Sequence, residues 1–360
     1  MKLNKIYAIA SIAALCVACE GNGDGTTNPT GNPLEVMKSG VLAVNETWST
    51  DSIYVLNGRV VVPAGIELTI QPGTIIKGKE GDGANASTLI IAQGGSIDAR
   101  GTESAPIILT SVLDNITVGE QAGTNLNETD AGLWGGLIVL GSAPISADAA
   151  TALIEGLPAN EAYAVYGGTN STDNSGIIEY LSVRHGGTLI GDGNEINGIT
   201  LAGVGSSTVV NHIEVVANVD DGVEFFGGTV SATNLYLENN EDDAVDWTEG
   251  WSGSVTNTYI SHTIDNFSTA FEADKENGNP MFTNVTAIST TGGIALQFKK
   301  QSGASITNLF LQGYTTNIDM ADNGPLSNVI IDGVAASITA SYNTGTQVDI
   351  SGWTWRNAGL

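Results

Sequence analysis

Residues 198–247 read GITLAGVGSSTVVNHIEVVANVDDGVEFFGGTVSATNLYLENNEDDAVDW, and one short phrase returns through them. Gly198-Ile199-Thr200-Leu201 recurs as Gly222-Val223-Glu224-Phe225 and Ala244-Val245-Asp246-Trp247. Further on it recurs as Ala270-Phe271-Glu272-Ala273 and Gly293-Ile294-Ala295-Leu296, so the steps are 24, 22, 26 and 23 residues. A second series keeps phase with the first: Ile213, Leu235, Thr258, Val285 and Leu309, each followed two residues later by Val215, Leu237, Ile260, Ala287 or Leu311. Alternation of this kind predicts strands with one buried face. A period of 22 to 27 residues that holds several strands and no helix predicts the coils of a parallel β-solenoid, stacked about 4.8 Å apart. A leucine-rich repeat would show a Leu/Asn pattern that is missing here, and a propeller blade needs roughly 40 residues. The expectation is an all-β parallel β-helix of roughly 13 coils, on the order of 60 Å long.

Outward from the repeat, the same texture extends to both sides. VVVPAGIELTIQPGTIIKG (60–78), GGSIDARGTESAPIILTS (94–111) and GLWGGLIVLG (132–141) resemble the opening coils of right-handed β-helices of the pectin-lyase-like superfamily. With IEYLSVRHGG (178–187), residues 193–230 and FEADKENGNP (271–280), the chain is similar to β-helix lipoproteins of Bacteroidota-like Gram-negative bacteria. The resemblance covers nearly all of residues 40–360 and is specific for the fold. The superfamily contains lyases, hydrolases, adhesins and tailspikes, so it implies a scaffold and leaves the activity open.

The N-terminus has a different character. Lys2 and Lys5 precede an apolar run from Ile6 to Ala18, too short to span a bilayer, and Ala18-Cys19 resembles a lipoprotein cleavage site. The expected layout is a signal peptide at 1–18, a flexible tether at 19–36 beginning with a lipidated Cys19, and a β-helix domain at 37–360. Two or more acyl chains on Cys19 would hold the protein stably on a membrane. Cys16 and Cys19 are the two cysteines, so no thiol is left downstream for a disulfide or a thiolate metal site. The formal charge is −27, and removal of Lys2 and Lys5 with the signal makes it −29. Such a surface repels nucleic acid and anionic lipid headgroups. The expected location is the outer membrane, by lipid anchor, with the cell surface as one face open to it.

The polar feature of the sequence is a ladder of acids. Asp220 and Asp242, Asp221 and Asp243, and Glu224 and Asp246 each lie 22 residues apart, and Glu272 and Asp274 are candidates to extend the line. Carboxylates stacked at about 4.8 Å repel by about 0.9 kcal/mol in water and about 3.5 kcal/mol at an effective dielectric of 20. They therefore call for water, protons or a cation. One reading is a Ca²⁺ site built from Asp220, Asp221, Glu224, Asp242, Asp243, Asp246 and Glu272, with Asn239 and Asn240 as nearby donors. Another is solvated turns, where Asn and Asp are at home. A third is a glycan-active hydrolase or lyase using Asp221, Asp242, Asp243 or Asp246 as acid and base. The Gly-His-Gly and Arg-x-Lys of polygalacturonase-type enzymes are missing, and basic residues are scarce beyond Lys79. Arg184-His185 and the rings of Trp247 and Trp251 are further ligand-binding candidates. The function expected is a binding module for a cation-dependent ligand, a glycan or an outer-membrane partner, with a glycan-active enzyme and an adhesive spacer as alternatives.

Overall fold

The computed structural model of the protein describes residues 33–158, 160–190, 195–275, 278–299, 302–321 and 326–353. The expected signal peptide, Cys19 and most of the expected tether lie outside the described residues. Among those residues, no helix is long and apolar enough to cross a membrane.

Twenty-three strands join into one mostly parallel sheet wound as a β-helix, and Ala152–Leu153 pairs Val165–Tyr166 apart from it as an antiparallel ribbon. The recurring phrases pair in the register their spacing predicts. Val60, Leu89, Leu137, Ile199, Val223, Val245, Phe271, Leu296 and Ile318 stand in one inward row, each the partner of the next. All are buried in the same core. Ile213, Leu235, Thr258, Val285 and Leu309 form a second row. Parallel pairing suits strands whose inner side packs inside the coil, because each backbone group is then satisfied by the coil above or below.

The second-series strands are longer than four residues and bend halfway. Gly176–Arg184 pairs Ser96–Arg100 through its first half and Ile107–Ser111 through its second. At the bend stand Tyr180, His212, Asn234, Asn257, Asn284 and Asn308, all with φ between 48° and 63°. Asparagine tolerates this left-handed conformation better than most side chains. The stacked amides bond to one another, Asn257 to Asn234 at 2.8 Å, Asn284 to Asn257 at 2.8 Å and Asn308 to Asn284 at 3.0 Å.

Two expectations change. The longest ladder runs through eleven strands, from Leu34–Val41 to Val329–Ile331, rather than 13 coils. The difference goes into stretches that leave the coil, chiefly 112–133 and 141–175, which pack side chains such as Ile116, Ile154 and Tyr166 against the outside of the sheet. The first strand also begins at Leu34, inside the stretch expected as tether, because Leu34 to Lys38 fall in parallel register with Ser52 to Leu56 of the next coil.

Candidate functional site: a buried carboxylate cluster

The strands Leu137–Leu140, Ile199–Ala202, Val223–Phe226, Asp243–Thr248 and Thr269–Ala273 carry the site on their outer side. One outward row reads Val61, Ile90, Ile138, Thr200, Glu224, Asp246, Glu272, Gln297 and Asp319. Its first three residues are apolar and are sealed by Ile154, Leu157, Ala164 and Tyr166 of the 141–175 insertion. The row then turns polar where that cover ends. Glu224, Asp246 and Glu272 are thus stacked as their spacing predicts. Asp274 falls one outward position further along its strand and bonds through its N–H to the Trp247 carbonyl, so it is not in this row.

Burial separates the acids that the sequence leaves alike. Asp221, Glu224, Asp243 and Asp246 are each no more than 8% exposed. Asp220 and Glu272 are half-buried and Asp242 is exposed. Solvated turns therefore describe Asp242 but not the other members. The Asp221 carboxylate accepts from the Asp243 N–H at 3.0 Å, and the Thr269 hydroxyl donates to Asp243 at 2.6 Å. Asn197 donates to Glu224 Oε2 at 2.7 Å, and Lys299 pairs with Glu272. Asp246 Oδ1 is buried with no hydrogen-bond partner among the described residues. Asp221, Glu224 and Asp246 each bring a carboxylate oxygen to within 4.8 Å of the other two, and Asp221 stands in the same relation to Asp220 and Asp242.

Such a grouping is electrostatically expensive. Burial, and then the neighbouring carboxylates, push the carboxyls of Asp221, Glu224 and Asp243 well above the ordinary carboxylate range. Burial and Glu272 do the same to Asp246. Burial and Asp242 raise Asp220 to about 7. These are the shifts expected where desolvation and like charge act together.

Several participants escape the sequence reading. Glu155, in the turn after Ala152–Leu153, is close enough to add to the shifts of Asp220 and Glu224. Asn197 and Thr269 donate to the cluster from neighbouring coils, and nothing in their local sequence marks them. Of the two asparagines expected as donors, Asn239 instead ties coils together through Thr263, at 2.9 and 2.7 Å. Asn240 is fully buried, and neither atom of its amide has a partner among the described residues. Gly222 is required beside it, since a Cβ there would lie 2.6 Å from the Ala244 carbonyl oxygen and 2.7 Å from Asn240 Nδ2.

The other candidates are structural. Trp247 and Trp251 are fully buried inside the coil, where no ligand can reach their faces. Trp251 stacks on Phe225 with ring centroids 4.0 Å apart and donates to the Val230 carbonyl, and Trp247 packs among Phe271, Phe282 and Phe298. Arg184 is buried under residues 112–133. Its guanidinium meets Glu214 at 3.0 Å, the Ser182 hydroxyl at 2.8 Å and the Gln121 carbonyl at 2.7 Å. His185 lies beside it with Nδ1 2.7 Å from the Asp130 carbonyl, and burial lowers its pKa. Both side chains hold the 112–133 segment on the sheet and are closed to a ligand.

Comparison with known proteins bears on the scaffold. A family model described as a pectate-lyase-like β-helix domain matches residues 40–351. No curated protein matches the chain. Among solved structures, it is similar to the catalytic unit of a thermostable GH87 α-1,3-glucanase from Streptomyces thermodiastaticus strain HF3-3. That likeness has 11% identity, covers 92% of this chain and 71% of that chain, and has a TM-score of 0.28, too loose to speak to activity. The matched residues span nearly the whole described coil: the chain belongs to the family of pectate-lyase-like β-helix domains.

Proposed function

We propose that the protein is an exported binding module, lipid-anchored to the outer membrane through Cys19, whose acidic site takes a hard divalent cation such as Ca²⁺. The observation that carries the cation is the Asp221, Glu224 and Asp246 cluster, with the partnerless Asp246 Oδ1 inside it. Three carboxylates offer up to six oxygens, the donor type calcium prefers. Ionising these buried carboxyls together is costly, so they hold protons, and a divalent ion would take the place of those protons and offset the charges it releases. Asp220 and Asp242 extend the cluster toward solvent, so a second partner could reach the metal from that side. A glycan or another outer-membrane protein fits this role.

The same geometry argues against acid and base catalysis at these residues. A glycosidase sets two carboxyls on either side of a sugar, about 5 Å or more apart and open to it. Asp221, Asp243 and Asp246 are buried and so closed to a sugar, and Asp242 alone of the four candidates is exposed.

Calorimetric titration of chelator-treated protein with CaCl₂ tests the reading. Saturable binding with proton release is expected near neutral pH, because the ion displaces protons from the raised carboxyls. Glu224→Gln should weaken it at least tenfold while the protein stays folded. No heat and no proton release in the unsubstituted protein would refute the cation site.

A further inference from the structure

A second polar recess lies on the bend of the coils. After the last coil, the chain folds back over the asparagine ladder. Asn308 and Thr346 exchange two bonds, 3.1 Å from Asn308 Nδ2 to the Thr346 carbonyl and 2.7 Å from the Thr346 N–H to Asn308 Oδ1. The Val348 N–H donates to the Thr286 hydroxyl at 2.9 Å. Trp353 sits edge-on to His212, which in turn stacks on Tyr180 at 4.2 Å. Between the returning segment and the ladder is a cavity of about 420 Å³, lined chiefly by Asn257, Asn284, Asn308, Gln347, Asp349 and Trp353.

The lining differs from the rest of this acidic surface. Half of its lining residues carry amide side chains, and Asp349 is its one charged residue. The rungs leave hydrogen-bonding capacity unused. Asn257 and Asn284 each spend one N–H on the rung before and accept one bond from the rung after. An amide has two N–H donors and two acceptor lone pairs, so Asn257 and Asn284 each keep one donor and one acceptor in reserve. Those reserves repeat at the coil spacing of about 4.8 Å. Vicinal hydroxyls, which both donate and accept, match such a lining, and successive sugars of an extended glycan advance by a similar step. The cavity volume falls in the range of small-ligand sites.

We infer that this recess binds a short stretch of a neutral oligosaccharide, read through its hydroxyls by Asn257, Asn284 and Gln347. Asn308 is spent on holding the returning segment. The site owes nothing to the acidic cluster, which lies on another face of the coil, so it does not depend on a metal.

The full-length protein should be titrated with cellohexaose, laminarihexaose and maltohexaose, with hexagalacturonate as the charged comparison, all in excess chelator. At least one neutral hexasaccharide should bind, and hexagalacturonate should bind at least tenfold more weakly. Gln347→Ala removes an exposed side chain and should leave the melting temperature unchanged. It should weaken binding about two- to tenfold, the worth of one or two hydrogen bonds. Asn284→Gly keeps the left-handed bend and should abolish binding in protein that still melts cooperatively. Failure of all three neutral sugars at millimolar concentration would overturn the inference. So would binding that requires calcium or is indifferent to both substitutions.

Discussion

Stripping divalent cations should destabilise the protein at pH 7.5 by several degrees and have little effect near pH 4.5. The sign follows from the buried acids. The carboxyls of Asp221, Glu224, Asp243 and Asp246 are raised well above their ordinary range, and Asp220 is raised from 3.8 to about 7. Without a cation, the native state keeps protons that the unfolded chain has released. The native state then binds more protons than the unfolded one, so stability falls as pH rises. For Asp220 the fall runs from about pH 4 to about pH 7, and for the deeper carboxyls it continues higher. The slope is about 1.4 kcal/mol per pH unit for each retained proton. A cation takes the place of those protons and flattens the dependence. With free calcium a hundredfold above its Kd, the gain is about 2.7 kcal/mol, which corresponds to a few degrees. Calorimetric melts from pH 4.5 to 8, with chelator and with calcium, should diverge as pH rises. Superimposable curves would contradict this.

The second large effect is expected far from the acids. Arg184→Met should cost about 3–5 kcal/mol, because it leaves the Glu214 carboxylate buried with the guanidinium gone. The same change releases the Gln121 carbonyl, so residues 112–133 should become accessible to protease. The double change Arg184→Met with Glu214→Leu should recover most of the loss, since a buried pair replaced by apolar groups is close to neutral. Denaturant unfolding of the two variants measures both quantities. A small loss for Arg184→Met alone would mean that water reaches the pair.

Both predictions draw on features that were legible to different degrees in the sequence. The coil was legible because one face of every strand must be apolar and each coil must match the last, so a repeat of 22 to 27 residues shows in the residue order. The same constraint put Glu224 against Asp246, and Asp246 against Glu272. What the repeat could not show was the cover. The 141–175 insertion buries the head of the outward row, and that depends on contacts between residues far apart in the chain, such as Tyr166 with Glu249 at 2.7 Å. Nor could it show that Asp221 and Asp242, alike as turn acids, end in opposite environments, the first buried and the second exposed. Arg184 and His185 stood as ligand-binding candidates because nothing near them in the sequence announces the 112–133 segment that covers them. Trp247 is a different case. Asp246 points outward, and strand alternation alone sends Trp247 into the coil. That signal was present in the sequence, and the ring's neighbourhood of acids along the chain obscured it.

Diffraction from crystals grown at pH 7 with calcium, with long-wavelength anomalous scattering to locate the ion, would show the cation in place. An anomalous peak is expected bounded by the carboxylates of Asp221, Glu224 and Asp246, with oxygens about 2.3–2.6 Å from it. No peak there, with the three carboxyls bonded to one another through shared protons, would contradict the cation site.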